Sequence, residues 1–302
     1  MTNEPEGQHH HYIPVFYLKQ WANDRKRLIE FSRQGPVRAV KPRPTSPKGT
    51  GYVPGLYALD DIDPYVVNAV ETLYMKPSDG LAADALQCFI EEREFPKSQL
   101  RFSWARFILS LMMGYPEAVA NMKQQLRDNV QKIYEKTRKE DEPPTFQEYE
   151  AMHATNDMGR GHGRLLMDLM QDSKMGRLLF GMHWGVLKCK NYQHNLLTSD
   201  RAVVSNLFPI SANHICLPIT PRHVFIACAT EKSQQEFLRL EPLDVMAAMN
   251  DRVVRQARTY VWGTDDAQLR FIQIDEGLGA IKVRSIRRVR SERCPISGGE
   301  RS

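Results

Sequence analysis

Residues Ile215–Ala229, ICLPITPRHVFIACA, read as two β-type runs joined by a turn at TPRH, Thr220–His223. Isoleucine, valine and phenylalanine favour the pleated backbone, and a Pro-Arg step between polar flanks punctuates it. Pro218 has no N–H to give to a ladder, so the first run is expected at a sheet edge or at a bulge. Shorter runs of the same kind surround the pair: GVLKCK (Gly185–Lys190), NLLTSD (Asn195–Asp200) and LRFIQID (Leu269–Asp275). Between the last two strands of this set lies PLDVMAAMNDRVVRQARTYV (Pro242–Val261), which carries a helical apolar period with Leu243 or Asp244 near its start. The final third of the chain is therefore a sheet with one late helix.

Working outward, the stretch from Asp63 to Met182 is helical in pattern. Asp63 and Pro64 form a cap-and-first-turn pair ahead of YVVNAVETLYM. In LAADALQCFIEEREF, the residues Ala82, Ala85, Leu86, Phe89 and Ile90 fall on one helical stripe. Ser98 opens a helix that Phe102, Trp104, Phe107, Ile108, Leu111 and Met112 make apolar nearly all round, as befits a core position. A charged helix from Met122 stops before Pro143-Pro144, and a Met/Leu-rich helix is expected over 163–180. At the amino-terminal end, RLIEFSR (Arg27–Arg33) reads as a strand, KPRPTSPKGTG (Lys41–Gly51) as an irregular loop, and VPGLYALDD as a short strand. The fold class is α+β: a mixed sheet built from amino-terminal and carboxy-terminal strands, packed against a central helical block. One domain spans 1–281, with the helical block at about 63–182 and the strand-rich part at about 184–281, followed by a basic tail at 282–302.

Composition limits the function classes. With 302 residues, 42% apolar and 25% charged, the chain can bury a core and is not of disordered type. No apolar run is long enough to cross a bilayer, and MTNEPEGQHHH has neither the basic start nor the apolar stretch of a secretory signal, so a cytoplasmic, non-membrane protein is expected. Cys88, Cys189, Cys216, Cys228 and Cys294 are scattered and odd in number, the usage of reduced thiols rather than of a thiolate metal site. The formal charge of +5 resides wholly in the tail from Lys282, which can contact phosphates or be a solvated end. Nucleic acid is thus the partner class to test. The chain lacks the phosphate-cradling G-x-x-x-x-G-K-[ST], the G-x-G-x-x-G turn, the G-x-S-x-G elbow and the H-E-x-x-H pair. GRGHGR (Gly159–Arg164) reads as a loop or a weak phosphate site. Nothing in the sequence specifies a cofactor or a metal.

Two constellations carry candidate chemistry. Around His10, His11, Tyr12 and Tyr17, imidazoles that titrate near neutrality sit beside phenols that can orient a phosphate or donate a proton, and Pro14 fixes the backbone as a helix begins. The alternative is structural: histidines that cap a helix or satisfy buried carbonyls. In LLTSDRAVV, Ser199 and Asp200 stand at a strand end, where Asp200 can orient a histidine, act as a base or bind a metal, or else form an Asx turn. Asn250 among Ala and Met on the late helix, Glu71 in VNAVETLYM and His183 beside Trp184 each need a partner, functional or structural.

HHYIPVFYLKQWAN resembles the amino-terminal hallmark of a mainly bacterial family catalogued as domain of unknown function 4238, His-His-Tyr-(Val/Ile)-Pro-x-Phe-Tyr-Leu-(Arg/Lys). LIEFSR, VNAVETLYM, LLTSDRAVV and FPISANHICLPITPRH are similar to its later segments, and Asn250 falls where the family tends to place an asparagine. Val15 and Ala202 depart from residues that are often Gln and Pro. The resemblance implies no established reaction. It does imply bacterial defence and prophage settings, and so an anti-phage or toxin-like role by analogy. Two readings follow. One is a hydrolytic, nuclease-like effector with His10 or His11 as acid/base, Tyr12 and Asp200 as its companions, and Tyr17, Ser199, Asn250 and Glu71 as substrate contacts. The other is a non-catalytic binding or sensing protein in which these groups hold the amino-terminal segment in place.

Overall fold

The computed structural model describes residues 9–34, 39–54, 56, 76–93, 98–139, 145, 147–148, 174–190 and 192–274. In the amino-terminal part it holds β1 (His9–His11), the short helix α1 (Val15–Leu18), β2 (Leu28–Gln34), β3 (Ala39–Thr45) and β4 (Tyr52–Pro54). The helical block contains α2 (Lys76–Ile90), α3 (Ser98–Met113), α4 (Pro116–Thr137) and α5 (Lys174–Gly181). The last part contains β5 (His183–Lys188), β6 (Thr198–Ser199), β7 (Val204–Ser205), β8 (His214–Thr220), β9 (His223–Cys228), α6 (Glu231–Leu238), α7 (Pro242–Gln256), β10 (Tyr260–Gly263) and α8 (Leu269–Ile274). Glu71, GRGHGR and the basic tail lie outside the described residues.

The fold is α+β, and the strands form three antiparallel sheets: β1-β4, β3-β2-β10-β6 and β5-β9-β8-β7. Early and late strands do share a sheet, since β10 pairs Trp262 with Glu30 of β2 on one side and with Thr198 of β6 on the other. The remaining late strands pair among themselves. The TPRH hairpin is present, and Pro218 lies at a register shift between Pro218 and Thr220, so the bulge is the solution taken.

Three local readings differ from the structure. KPRPTSPKGTG is not wholly irregular: its first residues belong to β3, whose Pro42 and Pro44 pair with Phe31 and Ile29. β3 is an edge strand, so the missing proline N–H groups need no outer neighbour. LRFIQID is helical over Leu269–Ile274, because Leu269 and Ile272 share a face against Phe31 and Val261 while Phe271 points out. The pattern PLDVMAAMNDRVVRQARTYV is two elements. The helix stops at Gln256, and its last residues, with Trp262 and Gly263, become β10.

The main core is aromatic. The Trp104 ring lies 5.0 Å from Phe89, 4.8 Å from Phe107 and 5.6 Å from Phe225, so α2, α3 and β9 meet at one fully buried side chain. Arg101 of α3 donates to the Phe180 and Met182 carbonyls and lays its guanidinium 3.9 Å from the Trp184 ring, closing the exit of α5. A second core, Val224, Ile226, Phe237, Val245, Met249 and their neighbours, fills the space between the other sheet face and helices α6 and α7. Among the described residues no helix is long and apolar enough to cross a membrane.

One core histidine sets a pH response. His214 Nε2 accepts from the Phe208 N–H at 3.1 Å while Nδ1 pairs with the Ala212 carbonyl at 3.1 Å, which fixes the neutral Nδ1–H tautomer. Burial holds its pKa below the ordinary 6.5. The unfolded chain then binds the proton more readily, so stability is intact above about pH 6.5 and declines as pH falls towards the folded value. Thermal melts from about pH 7 to about pH 5 are expected to show this decline, and the slope should be shallower in His214→Gln. An unchanged slope in the variant would assign the acid response to other groups.

Candidate functional site

The histidine-tyrosine hallmark is bolted to the sheets by its own polar atoms. Tyr12 and Ile13 donate their backbone N–H groups to the Gly51 carbonyl at 3.0 and 3.1 Å, continuing the pairing of β1 with β4. Gly51 has φ +68°, and a Cβ there would sit 3.1 Å from Ile13 Cβ, so glycine is required at this crossing. Pro14 starts α1, which buries Tyr17 completely. The Tyr17 hydroxyl donates to the Pro218 carbonyl at 2.7 Å; with its one proton so used, it accepts from Thr198 Oγ1 at 2.7 Å. Trp21 Nε1 donates to the Leu196 carbonyl at 2.8 Å. Two of the hallmark's aromatic residues, Tyr17 and Trp21, are therefore attached near the LLTSD strand end, some 180 residues downstream in sequence.

Asp200 ends that strand. Its Oδ1 accepts from Arg258 N at 2.9 Å, and its Oδ2 accepts from Thr259 N at 2.6 Å and Tyr260 N at 3.3 Å. Its own N–H donates to the Tyr260 carbonyl at 3.1 Å. The carboxylate thus latches the link between α7 and β10. Burial raises its pKa, opposed by the three amides and by Arg201. Ser199 Oγ accepts from Arg201 N at 3.2 Å in a local turn. Asn250 bridges two backbones: Oδ1 accepts from Leu197 N at 2.8 Å and Nδ2 donates to the Asn195 carbonyl at 2.9 Å. That is the partner its place on an apolar helix face required. His10 is buried, at 3% exposure. His11 is half-buried, with Nε2 3.2 Å from the Lys48 carbonyl and its ring 5.5 Å from Tyr52.

The Tyr12 phenol is buried and its pKa is driven well above the ordinary range, first by desolvation and then by Asp200, Tyr260, Glu117 and Glu30. Tyr260 in turn is raised by burial, Glu30, Asp200 and Tyr52, and lowered by Arg43. Geometry joins part of this set at the β3-β2-β10-β6 sheet: Glu30 pairs with Arg43, and Asp200 holds the Tyr260 amide.

Several members of this set were not legible in the sequence. Glu30 is 1% exposed and receives three Arg43 hydrogen bonds of 2.9, 3.1 and 3.2 Å, plus the Thr50 hydroxyl at 2.5 Å. Trp262 Nε1 donates to Thr50 Oγ1 at 3.0 Å, and the Tyr260 ring stacks on Trp262 at 5.6 Å and 26°. The one signal available was a carboxylate on the Leu28-Glu30-Ser32 face of an otherwise apolar strand. Arg201 pairs with Glu117 at 3.2 Å and lies 3.6 Å over the Tyr115 ring.

The floor of the site is therefore buried and internally satisfied, while its rim is open. His11, Tyr52 and Tyr260 are half-buried, and Lys41 and Arg43 are exposed, Arg43 at 53%. The stretch 24–48 holds eight Lys and Arg against Asp24 and Glu30, and Glu30 is neutralised by Arg43. Among the described residues no set of three or more His, Cys, Asp or Glu side chains converges as a metal site. The described cysteines are free thiols; burial pushes Cys189 and Cys228 up to about 11, which makes them poor nucleophiles.

Comparison with curated proteins and with solved structures gave no match. Comparison with protein families gave one, described as "Protein of unknown function (DUF4238)", over residues 9–267. That span runs from the first histidine of the hallmark past the end of β10, and it takes in every group of the site just described. The chain belongs to the DUF4238 family.

Proposed function

We propose that this is a non-catalytic binding or sensing protein whose ligand is single-stranded nucleic acid, held on the face rimmed by Tyr52, Tyr260, His11, Lys41 and Arg43. The observation that carries the reading is the closeness of half-buried aromatic rings to exposed basic side chains, above Asp200, Asn250 and Tyr17 whose polar atoms are bonded within the protein. Half-buried phenols offer bases a stacking surface, and the exposed Lys41 beside them offers phosphates a counter-charge, Arg43 being paired with Glu30. Asp200, Asn250 and Tyr17 each spend their hydrogen-bonding capacity on the backbone or on Thr198. They act as scaffolding that aims the rim.

Fluorescence anisotropy with short labelled RNA and DNA strands tests this. Tyr260→Ala is expected to weaken binding by about tenfold or more, on the scale of one lost base-stacking contact. Lys41→Glu is expected to weaken binding across sequences and to reduce the salt dependence by roughly one counterion. Binding that is absent at low salt, or unchanged in both variants, sinks the reading.

The hydrolytic, nuclease-like reading retains one supporting observation, the electrostatic coupling of Tyr12 to Asp200. A phenol held protonated can hydrogen-bond a phosphate oxygen or donate to a leaving group. The same labelled strands followed over time decide it: cleavage lost in Tyr12→Phe supports an enzyme, and intact strands on a binding-competent protein support a sensor. In either form the setting suggested by the family is bacterial anti-phage defence or toxicity.

A further inference from the structure

His223 opens β9 immediately after the TPRH turn and is 7% exposed. Its cross-strand partner is Lys188, the last residue of β5. The next residue on, Cys189, donates its N–H to the Arg222 carbonyl at 2.7 Å, and the Arg222 guanidinium holds the Tyr192 and His194 carbonyls at 2.9 and 3.1 Å. The loop that carries Lys190 is thus fixed from both sides.

Thr220 Oγ1 accepts from Arg222 N at 3.0 Å and lies 2.8 Å from His223 Nδ1. The threonine can donate once and accept twice; with its proton given to Nδ1, 2.8 Å away, the ring carries its hydrogen on Nε2. Nε2 is fully buried, and no protein group among the described residues accepts from it. A buried N–H without an acceptor costs about 1–3 kcal/mol, so a group that supplies an oxygen there is favoured.

We propose that His223, Lys188 and Lys190 form a binding site for an oxyanion, a phosphate or carboxylate group of a small ligand, with Nε2–H of His223 donating to the anion and Lys190 supplying its counter-charge. Lys188 is held by Glu92 at 2.6 Å, which leaves Lys190 as the exposed cation for the ligand. Strand pairing sets Lys188 beside His223 and its ion pair sets it beside Glu92, while the Cys189–Arg222 hydrogen bond brings the backbone next to Lys190 up to the same turn. Burial and the two lysines also hold the imidazole below its ordinary 6.5, keeping it neutral with a single donor at physiological pH. With Lys188 offset by Glu92, and Arg222 bonded only to neutral carbonyls, the corner carries a net positive charge suited to an anionic group.

Nuclear magnetic resonance of the full chain labelled with ¹⁵N-histidine tests the site. Long-range proton–nitrogen spectra are expected to show His223 with its hydrogen on Nε2. Inorganic phosphate and acetate, each titrated against sodium chloride at matched ionic strength, read out the anion. At least one is expected to give a saturable His223 Nε2 shift with a dissociation constant on the order of 1 mM, the scale of one or two charge-assisted hydrogen bonds. Which one saturates tells phosphate from carboxylate. Lys190→Ala changes an exposed side chain and should weaken the response at least about tenfold, while Lys190→Arg should keep it. A hydrogen on Nδ1, a response that chloride reproduces, a shift without saturation, or an equal response in Lys190→Ala each overturns the proposal.

Discussion

Replacing Asp200 with alanine is expected to lower the unfolding free energy by about 3 kcal/mol, measured by urea denaturation. The size follows from what the carboxylate holds: the N–H groups of Arg258, Thr259 and Tyr260 at 2.9, 2.6 and 3.3 Å. Buried amides that lose their acceptor cost about 1–3 kcal/mol each. Arg258 and Thr259 are exposed enough for water to replace part of that loss, and removing a buried charge returns some of its desolvation cost. Asp200→Asn keeps one acceptor oxygen and should lose roughly half as much. The comparison also separates roles. If Asp200→Ala proves as stable as the parent yet loses activity, the latch assignment is wrong and the carboxylate belongs to a reaction.

Trp21→Ala is expected to be more damaging, at about 4 kcal/mol. The indole is fully buried, its ring packs edge-on against Tyr17 at 5.0 Å, and its N–H is the donor to the Leu196 carbonyl. Truncation leaves a cavity and an orphaned carbonyl together. Trp21→Phe fills most of the volume and removes only the hydrogen bond, so about 2 kcal/mol is expected. Limited proteolysis should show the same order, with the hallmark segment cut sooner in the alanine variant. Equal stability of the two variants would mean that the hallmark is not a structural anchor.

Much of the architecture was legible because it rests on local signals. The apolar stripe of α2, the all-round apolar α3 and the TPRH turn each follow from a period or a turn residue. The elements that depart from these local signals are those decided by distant partners. Pro42 and Pro44 argued for a loop, yet an edge position tolerates both. Tyr260–Gly263 looked like the end of a helix, and becomes a strand because β2 and β6 offer it two ladders. The candidate site was read in part for the same reason. His11, Tyr12, Tyr17, Ser199, Asp200 and Asn250 were singled out as polar residues that packing alone could not explain, and the structure gives each of them a partner or a neighbour. Glu30, Arg43, Thr50 and Trp262 went unmarked, since only the folded sheet puts a carboxylate, a guanidinium and an indole on one face.

The position of β10 has a consequence for how the chain is made. Ser32 pairs with Tyr260, and Ile29 with Gly263, so the second sheet closes only after the chain has been synthesised through Gly263. At about 5–20 residues per second, the β2–β3 hairpin is made roughly ten to forty seconds before its inner neighbour exists. During that interval the ladder edge of β2, with Phe31 and Leu28 beside it, is open to pairing with other nascent chains. Sequence-distant pairing of this kind also makes refolding slow. Recovery from denaturant should therefore depend on protein concentration, and holding chaperones should raise the yield of folded protein more than they raise its stability.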